Sequence, residues 1–428
     1  MQVKYATACN MRRPERILIA FLVLLALVAV SGVTPPVKKH RGEPVKKARP
    51  KPKTADWNKF SASEVLTVRV LSQTKIKEIV IAPETGTYQV FANGRELLTV
   101  DAQNALKIAV VNDSLEVKSF EKNWGRFSVV RFSSADAERC FKLKCVNPER
   151  KPRFFDDNLN VSVEGGVLRL INESVLDNYI AGVSEAESGL YSPIEYYKVQ
   201  AILARTYALS HFTKHQAEGF NLCDQVHCQA FFGKSREATI VQAVNATRGK
   251  VVVDDDMNLI VAAFHSNSGG QTANSEDVWG SSTTYLRSVE DTFSYKMPNA
   301  RWTRKMPVND WLDYLKLKHN YPVDDSSARW LALHFKQETR KVNLEYNHIK
   351  VPLKNVRADL QLKSTFFSLE PAGDTLVFSG RGFGHGIGMC QEGAMRMTKN
   401  GYNYRDVLNY YYRNVHLIDL KDLNFFRE

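Results

Sequence analysis

The hydrophobic period of this chain changes near residue 172, and that change limits the folds open to it. From Leu66 to Asn172 the apolar residues come in short β-prone runs: "LTVRVL", "KEIVIA", "TYQVFA", "LKIAVV", "LEVKSF" and "FSVVRF". Such runs suit strands half-buried in a sheet. Asn93-Gly94 and Gly165-Gly166 each fall between runs, where two-residue hairpin turns belong. From Ser174 the period becomes helical: in "SVLDNYIAGVSEAES" residues 175, 176, 179, 180 and 183 make one apolar stripe. The expected class is therefore α+β, a helical and β core preceded by a β-rich unit.

The second helix carries its own start signal, Ser192 as N-cap, Pro193 in the first turn and Glu195 closing a capping box. Its sequence, "PIEYYKVQAILARTYALSHFTKH", is apolar over much of its circumference, which predicts a central helix. A third helix, "EATIVQAVNATRG", ends at Gly249. "KVVV" and "LIVAAF" then read as a hairpin around Asp254-Asp255-Asp256, leading into "HSNSGG". Residues 296–350 are charged and irregular, with helical pieces such as "VNDWLDYLKLKHN", and read as an insertion. The expected organisation is 1–33, 34–63, 64–171 and 172–428, the last carrying the insertion.

Residues 17–33, "ILIAFLVLLALVAVSGV", are uncharged, apolar and preceded by basic residues. They read as a signal peptide or a short membrane anchor, and either implies export to the cell envelope. Whether the segment is cleaved stays open. Residues 34–63 begin as a Lys/Arg/Pro-rich linker. The formal charge is +12, but residues 1–16 hold +3 and 34–56 hold +6, which leaves +3 for all the rest. A nearly balanced body gives no argument for nucleic-acid binding. Export also changes how cysteines read. Cys140/Cys145 and Cys223/Cys228 share the spacing C-x4-C, which suits local disulfides in an oxidising compartment.

Glu185 and Glu187 are two apart, so on a helix they point about 200° from one another and cannot act as a pair. Glu187 continues the Tyr179–Val183 stripe towards apolar neighbours, where desolvation would raise its pKa and suit it to acid/base work. The alternative is a surface carboxylate at a frayed helix end. Arg205 lies midway along the central helix and needs an anionic partner. Glu187 is one candidate, a structural ion pair the other, with Gln200 and Tyr207 adding donors nearby. "GRGFGHGIGMCQEGA" places His385 among alternating glycines just before Cys390. It lacks the G-x-G-x-x-G spacing and the lysine of a phosphate loop. A close wall of a polymer groove, a Cys/His nucleophile and tight backbone packing around a core histidine all remain open. In "CDQVHCQAF", Cys223, His227 and Cys228 are potential zinc ligands with His215 a possible fourth; a Cys223–Cys228 disulfide is the alternative.

Taken in order, these blocks resemble the SpoIID/LytB family of bacterial cell-wall proteins. "LDNYIAGVSEAE", "KVQAILARTYAL", "CQAFFG", "AVNATRGKVV", "AAFHSNSGGQT", "VWGSSTTYLRSV", "GRGFGHGIGMCQEGAMRM" and "YRDVLNYYYRNVHL" follow the family's sequence of motifs over roughly 172–295 and 355–418. The resemblance implies a SpoIID-like core acting on peptidoglycan glycan strands. It implies a lytic transglycosylase that cleaves MurNAc–GlcNAc bonds of stem-peptide-free strands to 1,6-anhydro ends. Glu187 takes the place of the catalytic glutamate. Gln200, Arg205, Tyr207, Ser266, Ser268, His385 and Gln391 fall in blocks implied to line the substrate cleft. No cofactor is required for such chemistry, and a structural zinc on Cys223, His227 and Cys228 is implied by some members. The other branch implies a non-catalytic enhancer of an N-acetylmuramoyl-L-alanine amidase. Two departures stand out. Ser188-Gly189 replaces the Met-Pro that usually follows the glutamate, and Cys390 stands where Ser or Cys is common.

Overall fold

The computed structural model describes residues 65–425. The apolar segment 17–33 and the linker with it lie outside them. Among the described residues no helix is long and apolar enough to cross a membrane.

The strand-like runs form two sheets, antiparallel throughout except where Leu222–Cys223 pairs parallel with Val65–Arg69. One has six strands in the order Arg153–Asp156, Cys140–Asn147, Glu78–Thr85, Leu106–Val111, Ser114–Lys118 and Asn123–Phe127. The other has seven, in the order Leu222–Cys223, Val65–Arg69, Val167–Val175, Asn158–Glu164, Val129–Ser133, Tyr88–Ala92 and Arg95–Val100. Side chains alternate in and out along both, and their inner faces share one core with Leu66, Tyr88, Ile108 and Phe141. The two expected hairpins form. Asn93 and Gly94 have φ of 48° and 80°, Gly165 and Gly166 of 59° and 72°, which is the double left-handed turn that matches strand twist. Cys140 and Cys145 stand five residues apart along a single strand, about 16 Å, so no local disulfide joins them.

The helices follow. We label them α1 (Leu176–Ser188), α2 (Ile194–Ser210), α3 (Ala238–Ala246), α4 (Ser275–Trp279), α5 (Val308–His319), α6 (Ser326–Leu333), α7 (Leu353–Asp359), α8 (Gln391–Lys399) and α9 (Tyr404–Tyr411). α2 is central as its composition requires, with Tyr196, Tyr197, Ile202 and Leu203 fully buried. Its capping box does not form. Pro193 is the N-cap, and the Glu195 carboxylate instead accepts from Lys198 and from the Tyr404 N–H at the start of α9. The strand Lys250–Asp254 also finds a distant partner. It pairs with Val415–Asp419 near the C-terminus, and only a single bridge, Val253 to Leu259, remains of the expected hairpin.

The core of the two sheets runs without a break into α1, α2, α3, α8 and α9. Leu222–Cys223, far along the chain, adds a strand beside Val65–Arg69. A second, smaller core holds Trp302, Trp311, Leu315, Tyr321, Val351, Phe367 and Phe378. The inserted body therefore extends to the strand Thr375–Arg381, beyond residue 350, because that strand pairs with Arg301–Pro307.

Candidate functional site

Glu187 sits in the last turn of α1, just before Gly189 turns the chain away at φ 67°. One of its oxygens accepts from the Ala230 N–H at 2.8 Å, and its carbonyl accepts from the Gln391 amide at 3.1 Å. The carboxylate opens on a cavity of about 360 Å³ lined also by Tyr207, Val226, Cys228, Gln229, Trp279, His385 and the apolar run Val261–Phe264. Glu187 is the single carboxylate among those lining residues. Burial pushes its carboxyl above the usual range, against the opposing pull of the Ala230 N–H. Glu185 faces elsewhere and is spent on Ser235 and the Arg236 N–H, at 2.7 and 3.0 Å. The helical-face argument thus separates the two glutamates as the structure does.

The glycines around His385 serve backbone packing rather than a ligand. A Cβ on Gly388 would lie 2.1 Å from the Ala263 carbonyl, and one on Gly384 would lie 2.8 Å from the His265 Cβ. The stripped backbone lets Met389–Cys390 lie parallel to Phe264–His265, and His385 is left standing at the cavity wall. Its Nδ1 accepts from the Ile387 N–H at 3.0 Å, which leaves Nε2 as the protonated nitrogen. Burial, with Arg357 nearby, holds its pKa down at about 4, so it is a neutral donor at neutral pH. The Trp279 ring is 5.6 Å away.

Several expected ligand-binding residues prove to be structural. Arg205 does not meet Glu187. It is 1% exposed, pairs with Asp177 at 3.0 Å and donates to the Thr247 and Lys250 carbonyls. Gln200 is buried and donates to the Tyr196 hydroxyl at 2.9 Å. Ser268 is fully buried and donates to Asp291 at 2.7 Å. Ser266 lies outside the cavity lining, its hydroxyl accepting from Asn299. Cys390 is no partner for His385. Its sulfur caps α8, accepting from the Gly393 and Ser268 N–H groups, and burial pushes its thiol far up. Tyr207 and His385 are the two of the expected cleft residues that reach the cavity beside Glu187, with Gln391 holding the Glu187 backbone. Trp279 and Gln229 were not expected, although "VWGSS" and "CQAFFG" contained them. Gln229 also has a buried Nε2 with no acceptor among the described residues.

Beneath the cavity the ligand atoms of His215, Cys223, His227 and Cys228 all lie within 4.8 Å of one another. Both thiols are free. The Cys228 thiol donates to the Cys223 sulfur and lowers its pKa. Glu218 accepts from His215 Nδ1 at 2.5 Å, which turns Nε2 towards the Cys228 sulfur at 3.4 Å. Two sulfurs, two imidazoles and an orienting carboxylate fit a closed, four-coordinate zinc site, with the fourth ligand on His215. Cys228 is two residues from Ala230, so whatever fixes this cluster also fixes the N–H that holds Glu187.

A sheet-and-helix body with one desolvated glutamate in a groove defines the class. Comparison with known proteins supplies the family. The model for SpoIID, the stage II sporulation protein, matches residues 164–253. The chain is 30% identical over 271 residues to the stage II sporulation protein D of Bacillus subtilis, covering 59% of this chain and 78% of that one. An uncharacterized protein of Brachyspira hyodysenteriae is 28% identical over 264 residues, 60% of this chain and 70% of its own. The amidase enhancer of Bacillus subtilis is 27% identical over 289 residues, 54% of this chain and 39% of its own. The chain belongs to the SpoIID/LytB family. Membership gives it a cell-wall-related function of the SpoIID/LytB kind.

Proposed function

We propose that the protein is a lytic transglycosylase of exported location that cleaves peptidoglycan glycan strands lacking stem peptides. The observation that carries this reading is Glu187, the one carboxylate lining the cavity, with its pKa raised by burial. Protonated Glu187 donates to the glycosidic oxygen as the bond from muramic C1 breaks. The resulting carboxylate takes the proton of the muramic C6 hydroxyl, whose oxygen closes on C1. A 1,6-anhydro end forms, Glu187 is protonated again and no water is consumed. One acid suffices, unlike the paired carboxylates of hydrolases. The Gln229 Nε2, unpaired among the described residues, can donate to a sugar oxygen, the Tyr207 hydroxyl oxygen can accept, and Trp279 offers a stacking face beside His385. A structural zinc on His215, Cys223, His227 and Cys228 would clamp the loop carrying Ala230 and supply no step of the reaction.

The test uses the full-length protein on stem-free strands, beside Glu187→Gln, with mass spectrometry of the ends. Anhydro ends from the parent alone support the reading. Reducing ends would make the enzyme a hydrolase. A second reading has one support, the similarity to the amidase enhancer. Under it the same groove binds glycan uncut and promotes an N-acetylmuramoyl-L-alanine amidase. Binding without products from either version, with a stimulated amidase, would favour it.

A further inference from the structure

Two guanidiniums near His385, those of Arg357 and Arg340, neither of them lining the cavity, have no acidic partner among the described residues. Five arginines among the described residues have a buried guanidinium nitrogen without an acceptor: Arg139, Arg153, Arg169, Arg205 and Arg357. The first four are tied down through other contacts, to Asp157, Asp224, the Glu218 carbonyl and Asp177. Arg357 is half-buried, and among the described residues its side chain has no carboxylate or carbonyl partner at all.

Its position is set by α7. Leu353 and Val356 bury in the small core and fix the roll of the helix. Lys354 then reaches the Val278 carbonyl at 3.5 Å, beside Trp279 in the cavity wall. Arg357, three residues on, shares that face of the helix. Arg340 adds a second guanidinium. It lies against Gly386, next to His385, where a Cβ would come within 3.0 Å of its Cζ. Its donors go only to neutral acceptors, the Ser268 and Gln271 carbonyls and the Thr365 hydroxyl. Burial first, and these two charges with it, keep His385 neutral. A half-buried guanidinium without an anion is costly unless a ligand supplies one.

We infer that Arg357, backed by Arg340, binds a carboxylate of the substrate strand at the His385 end of the cleft. The inference rests on the glycan reading above and names its specificity. In a stem-free strand every muramic acid bears a free lactyl carboxylate, which a guanidinium can grip with two charge-assisted hydrogen bonds. In an unprocessed strand that carboxyl is a neutral amide continuing into peptide. The enzyme would thus distinguish the two by charge as well as by bulk.

The experiment compares stem-free strands with the same strands capped as lactyl N-methylamides. Cleavage is read as KM and kcat, and binding is read on full-length Glu187→Gln, which cannot turn over. We expect about tenfold weaker binding and a higher KM for the capped strand, with kcat little changed. Arg357→Gln should erase that preference in both readouts, and Arg357→Lys should restore part of it. Equal handling of both strands by the parent overturns the proposal without any variant having to fold. So does a full preference in Arg357→Gln, or binding of neither strand. Preference in binding with no cleavage by the parent would sink the transglycosylase reading and leave this one standing.

Discussion

Two clusters of reactive side chains lie in the same core, and only one of them faces a cavity. Around Cys390 a thiol, the Ser268 and Ser294 hydroxyls and the Asp291 carboxylate are all fully buried and in contact. Their hydrogen bonds are spent on one another and on backbone: Ser268 donates to Asp291, Gly393 and Ser268 N–H groups donate to Cys390, and Ser294 N–H donates to Asp291. Around Glu187 the inventory is poorer, one carboxylate and a few neutral donors. Yet its side chain takes a single hydrogen bond among the described residues, from the Ala230 N–H, and opens on the cavity. Reactive residue types do not make a site. Unspent hydrogen-bonding capacity facing a cavity does.

The largest expected effect tests that contrast. Glu187→Gln should lower cleavage by about 10³-fold, the usual worth of a general acid, whereas Cys390→Ser should stay within about twofold. Near-complete loss on Cys390→Ser in a folded protein would invert the comparison. The arginines come next, read by urea unfolding. Arg205→Met strands Asp177, which keeps only Arg248, and should cost about 3–5 kcal/mol. Arg357→Gln loses no internal partner and should stay within about 1 kcal/mol. Equal losses would mean that Arg357 is held by something other than a ligand.

A chelator should lower the melting temperature of the parent and release zinc, with Cys228→Ser already at the lower value and insensitive to it. A smaller effect concerns pH. Burial raises the Glu187 carboxyl above its ordinary value near 4.5, so the folded chain holds that proton more tightly than the unfolded one. Its contribution to stability therefore falls as pH rises from about 4.5 through the raised value. Glu187→Gln keeps the Ala230 hydrogen bond without the charge. It should melt higher than the parent at about pH 7 and no higher at about pH 4, by calorimetry, and a variant–parent difference equal at both pH values would show an exposed carboxylate.

Much of this was legible in the sequence. The period change separated sheets from helices because burial on one side of a strand or helix leaves a pattern in a few consecutive residues. Asn93-Gly94 and Gly165-Gly166 marked their turns because few other residues accept two positive φ values in a row. The helical face singled out Glu187 over Glu185, since angular position on a helix is local information. Arg205 was legible as buried, but its partner was not. Asp177 and Glu187 both lie in α1, and only the packing of α1 on α2 decides which carboxylate meets the guanidinium.

Local pattern thus determined the elements, the family motifs and the one glutamate turned towards apolar neighbours. Tertiary structure decided which groups are spent and which are free. It joined Lys250–Asp254 to a strand more than 160 residues away rather than to its expected hairpin partner. It turned the glycines of the His385 stretch to backbone packing against Ala263 and His265. It also brought Lys354 of α7, in the inserted body, to the Val278 carbonyl next to Trp279 of the cavity wall. The reason is physical: burial, desolvation and partnership depend on neighbours far away in the chain, and no window of sequence contains them.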